Sequence, residues 1–349
     1  MHHLDPHERP PDGIRNVYKK YQKMGLEQLN QDTEIIDITD YATASSNSNV
    51  HVVEQHAAEQ LTATFRAFAG QDVVAQELDL PSSIPVYEHE DMPGLHILPT
   101  LLPPEIQSIL LSRLLHRDLS NPAHLTNIHT HYNLTYPPSS SSFFTLPPTS
   151  PHPIASPLNP TIHTPLPISP LLTRKLRWTT LGGQYNWTLK RYPTTPPPPP
   201  FPTDIKALLE AVFPQTRAEA AIVNLYSPRD TLSLHRDVAE DSGRGLVSVS
   251  LGCDAVFVVG AGKEKGEDGG EEGEKVLTLR LRSGSALYMS GTSRFAWHGV
   301  PQIVAGTCPA YLANWPSGST DGHGKAEYEA WKGWMANKRV NLNVRQMWD

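Results

Sequence analysis

Residues 245–252 read GLVSVSLG, with Val247, Val249 and Leu251 alternating with Ser248 and Ser250. A period of two puts the apolar side chains on one face and the hydroxyls on the other, as in a half-buried strand. Short runs of the same kind recur around it: AAIVNLY (220–226), AVFVVG (255–260), VLTLRLRSG (276–284), ALYMSG (286–291) and RVNLNVR (339–345). Upstream the period is 3.6. EIQSILLSRLL (105–115) follows Pro103 and Pro104, and DIKALLEAVF (204–213) follows Thr203 as a cap, with Ile205, Leu208, Leu209 and Val212 on one face. Many short alternating strands preceded by helices predict an α+β chain built on a double-stranded β-helix, or jelly roll, with flanking N-terminal helices. Working outward, residues 1–90 read as a partly disordered extension in which Asn16–Met24 forms a short basic helix. Residues 91–349 read as one domain, with a Pro/Ser-rich loop insert at about 136–170 and an acidic hairpin tip at 261–275.

Composition narrows the function classes. Two cysteines, Cys253 and Cys308, exclude a disulfide scaffold and a Cys-rich zinc module. The 33 prolines among 349 residues are about twice the usual share of about 5%, and they cluster. No apolar run approaches the ~18 residues that span a bilayer, and the start, MHHLDPHERPPDG, lacks the apolar stretch of a secretory signal. The expectation is a soluble intracellular protein of the nucleus, cytoplasm or mitochondrion with no membrane partner. Residues 1–170 hold 8 basic and 18 acidic side chains, whereas 171–349 hold 21 and 18. Leaving out Lys263–Lys275, the second half stands at +6, compatible with a polyanionic partner.

Chemistry concentrates in the strand-rich half. His235-Arg-Asp237 on an extended chain turns an imidazole and a carboxylate to one face. The spacing is cheap, since His3/Asp5, His89/Asp91 and His116/Asp118 share it. Only His235 lies between predicted strands. His298, in SRFAWHGVP (293–301), follows a strand and is the candidate third ligand; His323 competes from a Gly-rich stretch. Two His and one carboxylate with open positions is the donor set of non-haem Fe(II) oxygenases. In RVNLNVR, alternation collects Arg339, Asn341, Asn343 and Arg345 on one face, which is either wet or lines an anion-binding cavity. Asn224 and Tyr226 share a face in the same way and can donate hydrogen bonds to a metal-chelating co-substrate.

Taken in order, Asn-x-Tyr, His-x-Asp, His and Arg-x-Asn-x-x-x-Arg resemble the AlkB-type Fe(II)/2-oxoglutarate dioxygenases from about residue 170 onward. RWTTLGGQYNW, SLHRDVAE, SGTSRFAWHGVP and a Trp-bearing helix at Glu327–Asn337 resemble the eukaryotic AlkB homologue one branch. The resemblance implies His235, Asp237 and His298 as iron ligands. It implies Arg339 on the distal carboxylate of 2-oxoglutarate, with Arg345, Asn341, Asn224 and Tyr226 completing that pocket. In the family, dioxygen and 2-oxoglutarate become succinate and CO2 while an N-methyl group is hydroxylated and lost as formaldehyde. Where the bacterial enzyme carries a second acidic residue facing the base, this chain has Ala239, followed by Glu240.

Trp178, Tyr185 and Trp187 fall where the family places its nucleotide-facing lid. They stack on an extruded base or form a local hydrophobic cluster. Arg174, Lys175, Arg177, Lys190 and Arg191 flank them, a pattern suited to unpaired nucleic acid. The preferred expectation is oxidative demethylation of methylated adenine in tRNA or DNA. The alternatives are a histone-type protein hydroxylase or demethylase with the same iron centre, and a non-catalytic jelly-roll binding module.

Overall fold

The computed structural model describes residues 4–5, 8–39, 43–44, 49–70, 80–139, 141–186, 191–193, 195–262, 273–317 and 327–349. Two sheets carry the molecule. The larger has eight strands in the order Val50–Ala57 (β2), Ser83–His89 (β3), Leu95–Leu98 (β4), Ala286–Met289 (β14), Leu246–Gly252 (β11), Arg339–Arg345 (β16), Ala220–Tyr226 (β9) and Trp178–Gly182 (β8). The smaller runs Ile35–Ile36 (β1), Lys275–Leu281 (β13), Ala255–Ala261 (β12), Trp297–Ile303 (β15) and Leu232–His235 (β10). Neighbours are antiparallel except β1 and β13.

Alternation in the core strands sorts side chains between two interiors. Val247, Val249 and Leu251 of β11, with Val340, Leu342 and Val344 of β16, join a core shared with Ile106 and Leu110 of the helix Pro104–Ser112 and Leu208 of the helix Thr203–Val212. The opposite faces turn to the space between the sheets, where Leu246, Leu287, Phe257 and Val259 form a second core. The two faces of β11 are therefore both largely enclosed, and Ser250 is only 2% exposed. β16 is likewise no edge strand with a wet face: it lies between β9 and β11, and Arg339, Asn341 and Arg345 are buried.

Several expectations need correction. The described residues among 1–90 hold more order than a partly disordered extension implies. The short helix expected at Asn16–Met24 is present as α1 (Asp12–Lys23), with Ile14, Tyr18 and Tyr21 buried at helical spacing, and the edge strand β2 follows. Order thus begins well before residue 91, because this apolar stripe has a sheet face to cover. Nor is the 136–170 insert only a loop. It contributes β6 (Pro153–Pro157) and β7 (Leu166–Pro167) of a three-stranded sheet with β5 (Tyr132–Leu134). Phe143 and Phe144 are fully buried, and Phe144 meets Trp315, Trp331 and Trp334 edge-on at 5.0, 5.7 and 5.2 Å. Aromatic burial outweighs the proline content. The Trp-bearing helix expected at Glu327–Asn337 is two short 3-10 turns, Glu329–Trp331 and Trp334–Asn337, parted by Gly333 at φ 82°. The helix at 203 is preceded by Pro202 at the cap position rather than capped by the Thr203 side chain. β12 and β13 do pair as a hairpin, from Ala255↔Leu281 to Ala261↔Lys275, but residues 263–272 of the acidic tip lie outside the described residues. No described helix is long and apolar enough to cross a membrane.

Candidate active site

β10 and β15 pair so that His235 stands directly opposite His298, their ring centroids 4.4 Å apart. Asp237 follows two residues beyond His235. Its Oδ1 is 4.0 Å from His235 Nε2 and its Oδ2 is 3.6 Å from His298 Nε2. One donor atom from each of the three lies within 4.8 Å of the others, the single such group among the described residues. Each imidazole is oriented by its backbone. His235 Nδ1 is 2.9 Å from Ser233 O and His298 Nδ1 is 3.0 Å from Ala296 O. A carbonyl can only accept, so Nδ1 carries the proton and Nε2 keeps its lone pair for a metal. The other pairs at this spacing fail this test. His89 Nδ1 accepts from Asp91 N, His116 is packed among aromatics, and Asp118 is paired with Arg117. His3 and His323 lie outside the described residues.

Charge is arranged to keep this set ligand-ready. Burial and the second imidazole push His235 down to about 4, so it is neutral near pH 7. Burial alone would raise the Asp237 carboxyl, but the Arg345 guanidinium and the two imidazoles hold it well below the usual carboxylate range. Arg345 Nη2 reaches Asp237 Oδ2 at 3.3 Å, and its Nη1 donates to Tyr192 Oη at 2.9 Å and faces Glu240 Oε1 at 3.2 Å. Behind Asp237 sits Arg294, 1% exposed, from the 3-10 turn Gly291–Phe295. It donates to the Asp237 carbonyl at 2.7 Å, the Arg244 carbonyl at 2.7 Å and Glu240 Oε2 at 3.1 Å.

A cavity of about 410 Å³ opens over this group, lined among others by Tyr185, Asn224, His235, Asp237, Ala239 and Arg345. His298, Tyr226, Arg339 and Asn341 are buried outside that lining. Asn341 stands opposite Asn224 in the sheet, and its Nδ2 donates to Ser248 Oγ at 2.8 Å and Val249 O at 3.1 Å. Arg339, opposite Tyr226, gives one bond, Nη2 to Ser250 Oγ at 2.9 Å. Its Nε and Nη1 are buried without a partner, and so is the Tyr226 hydroxyl. Burial pulls the Arg339 guanidinium down to about 10 and lifts Tyr226 to about 12. Buried, unpaired donors on a cation are costly unless an anion meets them. A carboxylate is the group this cluster fits.

Of the lid residues, Tyr185 reaches the cavity and packs on Tyr192 at 5.1 Å. Trp178 stands opposite Asn224 in register but outside the lining. Trp187 and Lys190 lie outside the described residues. Arg174, Lys175, Arg177 and Arg191 are exposed, and Arg177 is paired with Asp230. Sequence reading passed over Arg294, Glu240, Ser250 and Tyr192. All but Tyr192 fall inside quoted motifs, yet nothing in a one-dimensional pattern says that a polar or charged side chain is fully buried.

Over residues 148–345 the chain matches the model of the 2OG-Fe(II) oxygenase superfamily. It is 45% identical over 360 aligned positions to the N6-methyladenosine RNA demethylase ALKB1 of Pyricularia oryzae, covering 99% of this chain and 98% of that one. It is 52% identical over 231 positions to the N6-methyladenosine RNA demethylase ALKBH of Cryphonectria parasitica, covering 64% and 100%. With the tRNA demethylase abh1 of Schizosaccharomyces pombe it shares 37% over 271 positions, covering 75% and 82%. This chain belongs to the 2OG-Fe(II) oxygenase superfamily, in its AlkB-type branch, and with it to the enzymes that use Fe(II) and 2-oxoglutarate.

Proposed function

We propose that this chain oxidatively demethylates nucleic acid, with N6-methyladenine in RNA as the first substrate to test and methylated tRNA and DNA adenine after it. The observation that carries the reading is the convergence of His235, Asp237 and His298 at a cavity beside buried, unpaired donors of Arg339 and Tyr226. The demethylases to which the chain is similar over its length supply the substrate class. The eight strands β9 to β16 support the jelly-roll reading. Counted in chain order, the first, eighth, third and sixth adjoin in one sheet and the second, seventh, fourth and fifth in the other.

In this reading His235, Asp237 and His298 hold Fe(II), and Arg339 with Tyr226 takes a carboxylate of 2-oxoglutarate. When bound, iron and 2-oxoglutarate supply the oxidising power, drawn from dioxygen, that hydroxylates an N-methyl carbon. The chain's own work is to orient and to insulate. Ser233 O and Ala296 O fix the two imidazole tautomers. Arg345 keeps Asp237 ionised, and Arg294 pins its backbone. Asn224 and Tyr185 bound the cavity in which the methyl group is presented. Succinate and formaldehyde release from N6-methyladenine RNA, N1-methyladenine tRNA, N6-methyladenine DNA and methylated histone peptide, assayed side by side, tests the proposal. Release from nucleic acid but not peptide, lost in His235→Ala, is expected. Turnover on the peptide alone would overturn it.

A further inference from the structure

α1 lies outside the span that matches the family model, yet it packs on β15, which carries His298, and on β12, and reaches β10, which carries His235, through Tyr18. It covers the side of the smaller sheet that faces away from the second core. Ile14 and Tyr21 join Val256, Val258 and Trp297, whereas Phe257 and Val259 turn the other way and Phe257 sits 5.8 Å from the His298 ring. Two glycines make room for the helix. A Cβ on Gly260 would come within 2.8 Å of Ile14 Cδ1, and one on Gly299 within 3.1 Å of Tyr18 Cε2.

Tyr18 meets the ladder where it is irregular. β10 and β15 are in register at Leu232↔Val300 and again at His235↔His298, but two residues of β10 intervene against one of β15. Such a bulge re-aims the side chain that follows it and breaks local ladder bonds. The Tyr18 hydroxyl donates to Leu232 O at 3.1 Å, with Val300 O at 3.5 Å, so it sits across the register pair preceding the bulge. Gly299, opposite the bulge, has Leu232 O only 2.8 Å from where a Cβ would stand. A second tie follows His235. The Arg236 guanidinium lies 4.6 Å over the Trp297 ring and is ion-paired with Glu8, just upstream of α1.

We propose that α1 with its lead-in is a brace on the metal site, in which Tyr18 is a positioning residue holding β10 and β15 so that His235 and His298 face one ion. The proposal rests on those two histidines being ligands. Holding a bulged pair from behind changes how well the ligands are preorganised, so its removal is felt in metal affinity before it is felt in fold.

The test titrates Mn(II) alone into the full-length apo-protein, alongside thermal melting. Tyr18→Phe, which removes only the hydroxyl, should weaken Mn(II) about three- to tenfold, the size of one lost hydrogen bond. Glu8→Gln should weaken it less. Phe144→Ala, remote from the ligand strands, should lower the melting temperature more than Tyr18→Phe does while leaving Mn(II) affinity within twofold. Unchanged Mn(II) affinity in Tyr18→Phe, or an equal loss in Phe144→Ala, would overturn the brace. Mn(II) binding by His235→Ala as tight as wild type would instead sink the ligand assignment, and the brace with it.

Discussion

Arg339 and Arg294 are both buried arginines, and they are opposite cases. Arg294 spends its donors on two carbonyls and a carboxylate. Removing it leaves buried Glu240 with Arg345 as its one remaining cation and frees the Asp237 backbone. Arg294→Gln is therefore expected to cost about 3–5 kcal/mol of stability, the range for breaking a buried pair, read as a lower urea midpoint. Arg339 keeps two donors unpaired. Its loss should cost the apo-protein little, since a buried unpaired cation is itself unfavourable. Arg339→Met should thus melt no lower than wild type while binding 2-oxoglutarate on the order of 100-fold more weakly, given about 1.5–3 kcal/mol per charge-assisted hydrogen bond. Calorimetric titration of 2-oxoglutarate in the presence of Mn(II), compared with melting curves, checks both signs. The His-x-Asp pair, the distant His298 and the arginine spacing were all legible as residue types at intervals. The burial that separates these two arginines was not, because it depends on which elements close over them.

Among the elements, β11 and β16 were the easiest to read and β16 the easiest to misplace. Alternation identifies a strand and its two faces, but it does not distinguish an edge from the centre when the polar face lines an enclosed site. Asn341 donates to Ser248 of β11 and Arg339 gives one of its donors to Ser250, so these hydroxyls are partners inside. The burial of α1 and the order within the insert were missed for the converse reason. Their helix period and aromatic pair are short signals that gain meaning only against a distant sheet face. Gly252 ties β11 to the site: it pairs with Arg339, adopts φ 88°, and a Cβ there would meet Lys338 O at 2.4 Å. Gly252→Ala should cost at least about 1–2 kcal/mol from the left-handed backbone alone. Because the strain falls beside Arg339, 2-oxoglutarate affinity should fall together with the urea midpoint. A stability loss with unchanged 2-oxoglutarate binding would show the two ends of that pair to be independent.

For the molecule as a whole, burial holds several imidazoles below the usual histidine range. His116, stacked on Tyr328 at 4.3 Å and bonded to Ser142 Oγ at 2.8 Å, is pushed by burial down to about 4. Between about pH 6.5 and that value the unfolded chain binds a proton that the folded one does not, so stability falls as pH drops through this window. His235 acts with the same sign in the metal-free protein. Melting temperatures at pH 7, 6 and 5 should decline steadily, and less steeply in His116→Phe; a flat profile would contradict the burial of these rings. The sheet order has a temporal consequence as well. Among the described strands β16, between β9 and β11, is made last. During translation, therefore, a gap stands open at the middle of the larger sheet until Arg339 and Arg345 have left the ribosome. A nascent chain can gather its histidines early, yet it lacks Arg339, the proposed anchor for the keto acid, until this insertion closes the sheet.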